Sequence, residues 1–98
     1  MIFLIATLTI KPGSFDAIME AVTPCLHATR KEEGCISYDL HRSVDDDNKL
    51  VFVERWESLE HLNAHFQTPH LIAWREAGEQ YFLDRKIEII TPQNVEVR

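Results

Sequence analysis

The opening segment IFLIATLTI, Ile2 to Ile10, carries apolar or β-branched side chains on both of its alternating faces. A strand of that kind is stable only when covered on both sides, which places it in the middle of a sheet with a layer above and a layer below. The chain has 98 residues, enough for one domain and close to the size at which a chain can barely bury its own core. Cover for both faces of that strand is therefore hard to find within the chain itself.

Lys11-Pro12-Gly13 interrupts the strand, and Ser14 stands where a cap is wanted ahead of Phe15, Ile18, Met19, Val22 and Leu26 at helical spacing. Asp16 suits the positive end of this helix, Pro24 removes a backbone donor and predicts a bend, and Gly34 predicts the helix end. Cys35 to Val44 reads as a second strand, with Ile36, Tyr38 and Leu40 on one face and Ser37, Asp39 and His41 on the other. The polar turn Asp45-Asp46-Asp47-Asn48 joins it as a hairpin to a third strand, Lys49 to Glu57. Ser58 predicts the start of a short helix, Leu59 to Phe66, and Thr68-Pro69 starts another that runs to about Phe82. DRKIEIIT, Asp84 to Thr91, closes the pattern as a fourth strand. The order β-α-β-β-α-β is that of the ferredoxin-like split unit, an α+β fold in which one sheet carries its helices on a single face. The whole chain, residues 1–98, forms one domain. The uncovered face of the first strand then predicts a homodimer with packed sheets.

Charge and composition exclude several partners. A formal charge of −6 without a Lys/Arg cluster argues against nucleic acid, whose affinity rests on neutralising phosphates. The apolar opening run is too short to span a membrane and lacks the marks of a secretory signal, so the expected location is the cytoplasm, with no membrane partner. Cys25 and Cys35 read as reduced thiols, Cys35 as strand packing. Asp45-Asp46-Asp47-Asn48 lacks the glycine and distal glutamate of a calcium loop and reads as a solvated turn. The chain has no GxSxG, no CxxC and no glycine-rich phosphate loop, so any chemistry must proceed without a nucleotide cofactor held by those means.

The segment VERWESLEHLNAHFQTPH, Val53 to His70, concentrates the groups that could react. Alternation on the third strand puts Leu50, Phe52, Glu54 and Trp56 on one side and Val51, Val53 and Arg55 on the other. A carboxylate between Phe52 and Trp56 has its pKa raised and must find a donor; the plain alternative is an ion pair from Glu54 to Arg42 or Arg55. His61 and His65 share a helix face at a spacing that can bind metal, but no further ligand completes a set, and no metal is expected. His65 lies at the apolar boundary of its helix, where an imidazole can take a proton from a phenol or enol, or else rest on a backbone carbonyl or on Glu54. His70, at a helix start that favours a neutral ring, and His41, also readable as a plain hairpin residue, are candidates for substrate contacts. His27 faces solvent, and Trp74 and Tyr81, seven apart, fit a core stripe.

EEGCISYDL, Glu32 to Leu40, followed by VERWESLEHLNAHFQTPH, resembles the antibiotic biosynthesis monooxygenase family, and more narrowly its small bacterial quinol monooxygenases. The resemblance covers nearly the whole chain. It implies a dimeric ferredoxin-like α+β barrel that oxidises a quinol-type or polyphenolic aromatic substrate with dioxygen, without metal, haem or flavin. The family's E-x-W pattern falls on Glu54 and Trp56, its helix histidine on His65, and the histidine after Thr-Pro on His70. The positions that serve haem-degrading relatives fall on Ala6 and Arg75, which argues against that activity here. The expected mechanism has His65, oriented by Glu54 or a neighbour, remove a hydroxyl proton from the substrate. Trp56 stacks on the resulting anion, which passes an electron to dioxygen. Tyr38 is a candidate donor to the developing oxygen anion, or a core residue. Two other readings fit the same fold: an isomerase acting on a small keto or hydroxy metabolite, and a binding protein for a small signalling molecule.

Overall fold

The computed structural model describes all residues, 1–98. Its elements are β1 (Ile2–Ile10), α1 (Phe15–Thr29), β2 (Cys35–Arg42), β3 (Lys49–Trp56), α2 (Leu59–His65), α3 (Pro69–Gly78), a 3-10 turn at Glu79–Tyr81 and β4 (Phe82–Ile90). The strands form one antiparallel sheet in the order β2-β3-β1-β4, the ferredoxin-like arrangement. No helix is long and apolar enough to cross a membrane.

β1 is central, as its composition requires, and its two faces fare differently. Ile2, Leu4, Ala6, Leu8 and Ile10 are buried in one core with Ile18 and Val22 of α1, Leu62 of α2, and Leu71 and Trp74 of α3. Phe3, Ile5 and Thr7 point the other way, alongside Arg55, Val53 and Val51 of β3, and stay partly exposed. The guanidinium of Arg55 lies over the Phe3 ring at 5.2 Å and donates to Ser37, the main polar cover on that face. β4 forms an edge, and its Ile87 and Ile89, which share the core face with Ala6 and Leu4, remain 39% and 48% exposed.

Several boundaries depart from the periodicity, each for a local reason. α1 stops at Thr29 rather than at Gly34, because the chain tightens there into short-range bonds from Lys31 N to Ala28 O and from Glu32 N to Thr29 O. Pro24 sits inside an unbroken α1. Ser14 gives α1 no side-chain cap; its hydroxyl donates instead to Lys11 O at 2.6 Å and closes the turn in which Gly13 has φ +80°. The register of β2 on β3 shifts between Cys35 and Ser37, so Ile36 does not join Tyr38 and Leu40 inside but is exposed. α3 ends at Gly78, and Tyr81 belongs to the 3-10 turn, partly buried against the core that holds Trp74.

The two caps of the broken helix do form as their residue types predict. Ser58 is extended and accepts from His61 N, and Thr68 is extended and accepts from Leu71 N with Pro69 in the first turn. The Thr68 hydroxyl also donates to His65 O at 2.8 Å, tying the end of α2 to the start of α3. The break therefore sets His65 and His70 side by side with a fixed offset.

Candidate active site

Alternation on β3 delivers Glu54 to the helix-covered face of the sheet. Its neighbours across the strands are Leu4 on β1 and Tyr38 on β2, both buried, and Glu54 itself is 4% exposed. Neither Arg42 nor Arg55 reaches it: Arg42 approaches Asp47, and Arg55 lies on the opposite face. The donor it finds is Trp56, two residues along the strand, whose indole Nε1–H donates to Glu54 Oε1 at 3.0 Å. Burial pushes the Glu54 carboxyl up to about 7, against the lowering influence of that indole bond and of the Arg75 charge. Every fully buried side-chain polar atom has a partner, whereas Glu54 Oε2 makes no hydrogen bond; that oxygen is therefore open to the cleft.

His65, the last residue of α2, is 1% exposed and packs between rings, its centroid 4.7 Å from Trp56 and 5.3 Å from Tyr38. Its Nδ1–H donates to Glu32 Oε2 at 2.7 Å, the tautomer assigned from the acceptor character of the carboxylate. Of the partners expected to orient His65, Glu54 or a neighbour, the one found is Glu32. Burial lowers the His65 pKa, with the Glu32 carboxylate pulling in the opposite direction. The imidazole is accordingly neutral near pH 7, and its Nε2, with no partner and not sealed, carries a lone pair toward the cleft.

Glu32 also accepts from His70 Nε2–H at 2.7 Å, so one carboxylate oxygen holds both rings. The early end of α1 is what makes this possible. It leaves Arg30 to Gly34 as a turn, anchored by Arg30 Nε donating to Tyr38 O at 3.0 Å and by the Arg30–Asp39 ion pair. Gly34 at φ +82° lies so close to the His61 ring that a Cβ there would collide with it. His61 is bonded to Ser58 and approaches Glu33, away from the contacts that His65 makes.

Between the sheet and α3 lies a small cleft with a cavity volume of about 40 Å³. Its walls are mainly apolar and aromatic, with Phe52, Phe66, Trp74 and Phe82 among them. Tyr38, Glu54, His65, Arg75 and Arg85 supply the polar edges. Burial pushes the Tyr38 phenol well above its ordinary range, so it stays protonated, with Cys25 Sγ 3.9 Å from its hydroxyl.

Of the six residues expected in the site, three, Tyr38, Glu54 and His65, line this cleft. Trp56 does not: fully buried behind it, the ring has no face to offer a substrate and instead packs on His65 and holds Glu54. His70 also stands outside the lining, behind Glu32. His41 pairs with Val51 on the open face and is exposed, on the other side of the sheet from Tyr38. Glu32, Arg75 and Arg85 are the charged groups that were not among the expected site residues. Glu32 had one signal, an acidic residue two before a glycine in a tight turn; the two arginines had none that pointed to the cleft. Ala6 and Arg75 both lie on the cleft wall, and neither brings an amide or imidazole to it.

Acid, base and apolar walls in one cleft suit proton transfer on a small apolar molecule. Residues 1–77 match the family model described as antibiotic biosynthesis monooxygenase. The chain is 33% identical to the "Probable quinol monooxygenase YgiN" of Escherichia coli K12 over 102 residues, covering 94% of this chain and 98% of that protein. The solved structure of Rv0793 from Mycobacterium tuberculosis superposes with a TM-score of 0.89 at 27% identity, covering 98% of each chain. PA3566 from Pseudomonas aeruginosa does so with a TM-score of 0.86 at 28% identity, covering 95% of this chain and 94% of that one. By sequence and by fold together, the chain belongs to the antibiotic biosynthesis monooxygenase family.

Proposed function

We propose that the chain is a monooxygenase that oxidises a quinol-type aromatic substrate with dioxygen and needs no resident metal, haem or flavin. The observation that carries this reading is His65. Its Nδ1–H is fixed on Glu32, and its Nε2 lone pair opens into an aromatic-walled cleft that also holds a carboxyl pushed up to about 7. The name of the relative YgiN supports the substrate class.

The chemistry follows from these positions. His65 Nε2 takes a hydroxyl proton from the quinol, and the Glu32 carboxylate stabilises the imidazolium that forms. The quinolate passes one electron to dioxygen, which avoids the spin barrier of a direct two-electron reaction. Recombination of superoxide with the radical at a ring C–H carbon gives a peroxide anion, which the acid form of Glu54 protonates. Loss of water then leaves one oxygen atom on the ring as a carbonyl. The net change is quinol plus O₂ to hydroxyquinone plus water, the substrate supplying every electron. Tyr38, held as a phenol, donates to the oxygen anion, and the apolar walls exclude water from the radical pair.

The partly exposed Phe3, Ile5, Val51 and Val53 form the surface on which a second copy would pack, so the working unit is a homodimer. The free thiols of Cys25 and Cys35 suit the cytoplasm. A second reading draws on the same pair of groups: a base at His65 and an acid titrating near 7 at Glu54 would also serve keto–enol isomerisation, which needs no oxygen.

Oxygen uptake with a reduced naphthoquinol under ¹⁸O₂, in metal-stripped protein and corrected for spontaneous oxidation, tests the proposal. The expected result is one labelled atom per product and label in the released water, with uptake lost in His65→Ala. Uptake equal to the blank removes the oxygenase reading, and turnover of a keto or hydroxy compound without oxygen establishes the isomerase.

A further inference from the structure

Glu32, His65 and His70 form a cluster that proton abstraction does not fully account for, since a single carboxylate accepting from His65 would be enough to orient the base. Three elements converge on it: the turn after α1, the end of α2 and the first turn of α3. Their ligand atoms, Glu32 Oε2, His65 Nδ1 and His70 Nε2, all lie within 4.8 Å of one another. Both nitrogens already point at the shared oxygen from 2.7 Å. A tetrahedral zinc with ligands about 2.1 Å away needs its ligand atoms about 3.4 Å apart, a separation that lies between the short contacts and the outer limit of this cluster. Two imidazoles and a carboxylate are the donor set that first-row divalent cations prefer, and three protein ligands leave a position open. On the Nδ1 side His65 is closed off by its neighbours, but His70 keeps 23% of its side-chain surface and Glu32 14%, so an ion has a way in from their side.

We propose that Glu32, His65 and His70 form a binding site for a divalent transition cation, zinc being the fitting probe, and that the ion switches the site off. To ligate, His65 must present Nδ1 as a lone pair, which moves its ring proton to Nε2. The nitrogen that faces the cleft then becomes a donor and can no longer accept a proton from substrate. A change of tautomer on the far side of the ring thus controls its reactive side, with no group moving into the cleft. Binding stands independently of the function proposed above; inhibition rests on it.

The test is equilibrium dialysis of the full chain, stripped of metal, against micromolar zinc alone. Wild-type protein is expected to retain about one zinc per chain. Glu32→Gln and His70→Gln, both at partly exposed positions, are expected to weaken retention by at least about tenfold, whereas His61→Gln leaves it unchanged. ¹⁵N spectra of the imidazoles report the tautomer directly: zinc should move the His65 proton from Nδ1 to Nε2. No zinc retained by the wild type, or equal retention by the Glu32→Gln and His70→Gln variants, overturns the site. Retention with the His65 proton still on Nδ1 overturns the switch. Zinc bound with quinol turnover undiminished overturns the inhibition while leaving the site intact, and absence of turnover in zinc-free protein marks a failure of the proposed activity alone.

Discussion

Glu54 is an acidic group in a place where charge is unwelcome, and replacing it with glutamine should make the protein more stable while impairing it. The carboxyl is 4% exposed, and burial raises it from 4.5 to about 7. A folded-state carboxyl that holds its proton more tightly than the unfolded chain does loses stability as pH rises through that window. Above the window the loss is complete, about 3 kcal/mol at roughly 1.4 kcal/mol per tenfold change in proton affinity. Glutamine keeps the shape of the side chain and the carbonyl oxygen that accepts from the Trp56 indole, but it has no charge to desolvate. Glu54→Gln is therefore expected to exceed the wild type by about 2 to 3 kcal/mol at pH 8, the margin shrinking to about 1 kcal/mol or less at pH 5. His65, present in both proteins, cancels from the difference. Urea unfolding of both proteins at one protein concentration, at pH 5 and pH 8, measures the margin. A variant no more stable than wild type at pH 8, or a margin equal at the two pH values, would refute the claim that Glu54 is kept at a cost in stability. Turnover should fall in the same variant, because an amide cannot deliver a proton.

The remaining predictions follow from the same geometry. His65→Ala should lower kcat/KM by about 10²- to 10⁴-fold, as loss of a general base does, measured as oxygen uptake. The pH profile of kcat/KM should be a bell. Its acid limb lies below 6.5, where His65 protonates, and its alkaline limb lies near 7, where Glu54 ionises. Because the folded His65 takes its proton less readily than the unfolded chain, its contribution to stability is lost as pH falls below 6.5, the opposite sense to Glu54. Trp56→Phe removes the indole donor that holds the Glu54 pKa down, so the alkaline limb should move up by about one pH unit; a profile unchanged in position would show that this bond does not tune Glu54. Gly34→Ala forces a side chain into φ +82° and against the His61 ring, for an expected loss of about 2 kcal/mol or more by urea unfolding. Adding His61→Ala should recover only part of the collision, because the Cβ at position 61 still lies 2.6 Å from the new one, and should leave the backbone strain.

What the residues disclosed in advance and what they withheld divide along physical lines. The element order, the hairpin, and the caps at Ser58 and Thr68 are local matters of period and turn chemistry, and they could be read directly. So could the face of β3 that carries Glu54 and Trp56. Alternation gives the side of a sheet but not the depth, however. Trp56, read as a stacking surface, is instead a buried support for Glu54 and His65. The residues leave the orienting carboxylate open between Glu54 and a neighbour for a different reason. Glu32 meets His65 across 33 residues and His70 across 38, contacts that exist only because α1 tightens and stops at Thr29. No apolar periodicity marks that stop, and the visible signal, Gly34, lies beyond it. Ile36 shows the same limit at smaller scale, since a one-residue register shift moved it from the inner face to solvent.

The central claim is that His65 Nε2 removes a proton from the substrate before oxygen takes part. Anaerobic mixing of the protein with a naphthol, followed by absorbance, isolates that step, because the naphtholate band appears when the hydroxyl ionises. The account predicts that the band forms at pH 7 with wild-type protein and not with His65→Ala. Binding of the naphthol without ionisation, or equal ionisation by both proteins, would contradict it.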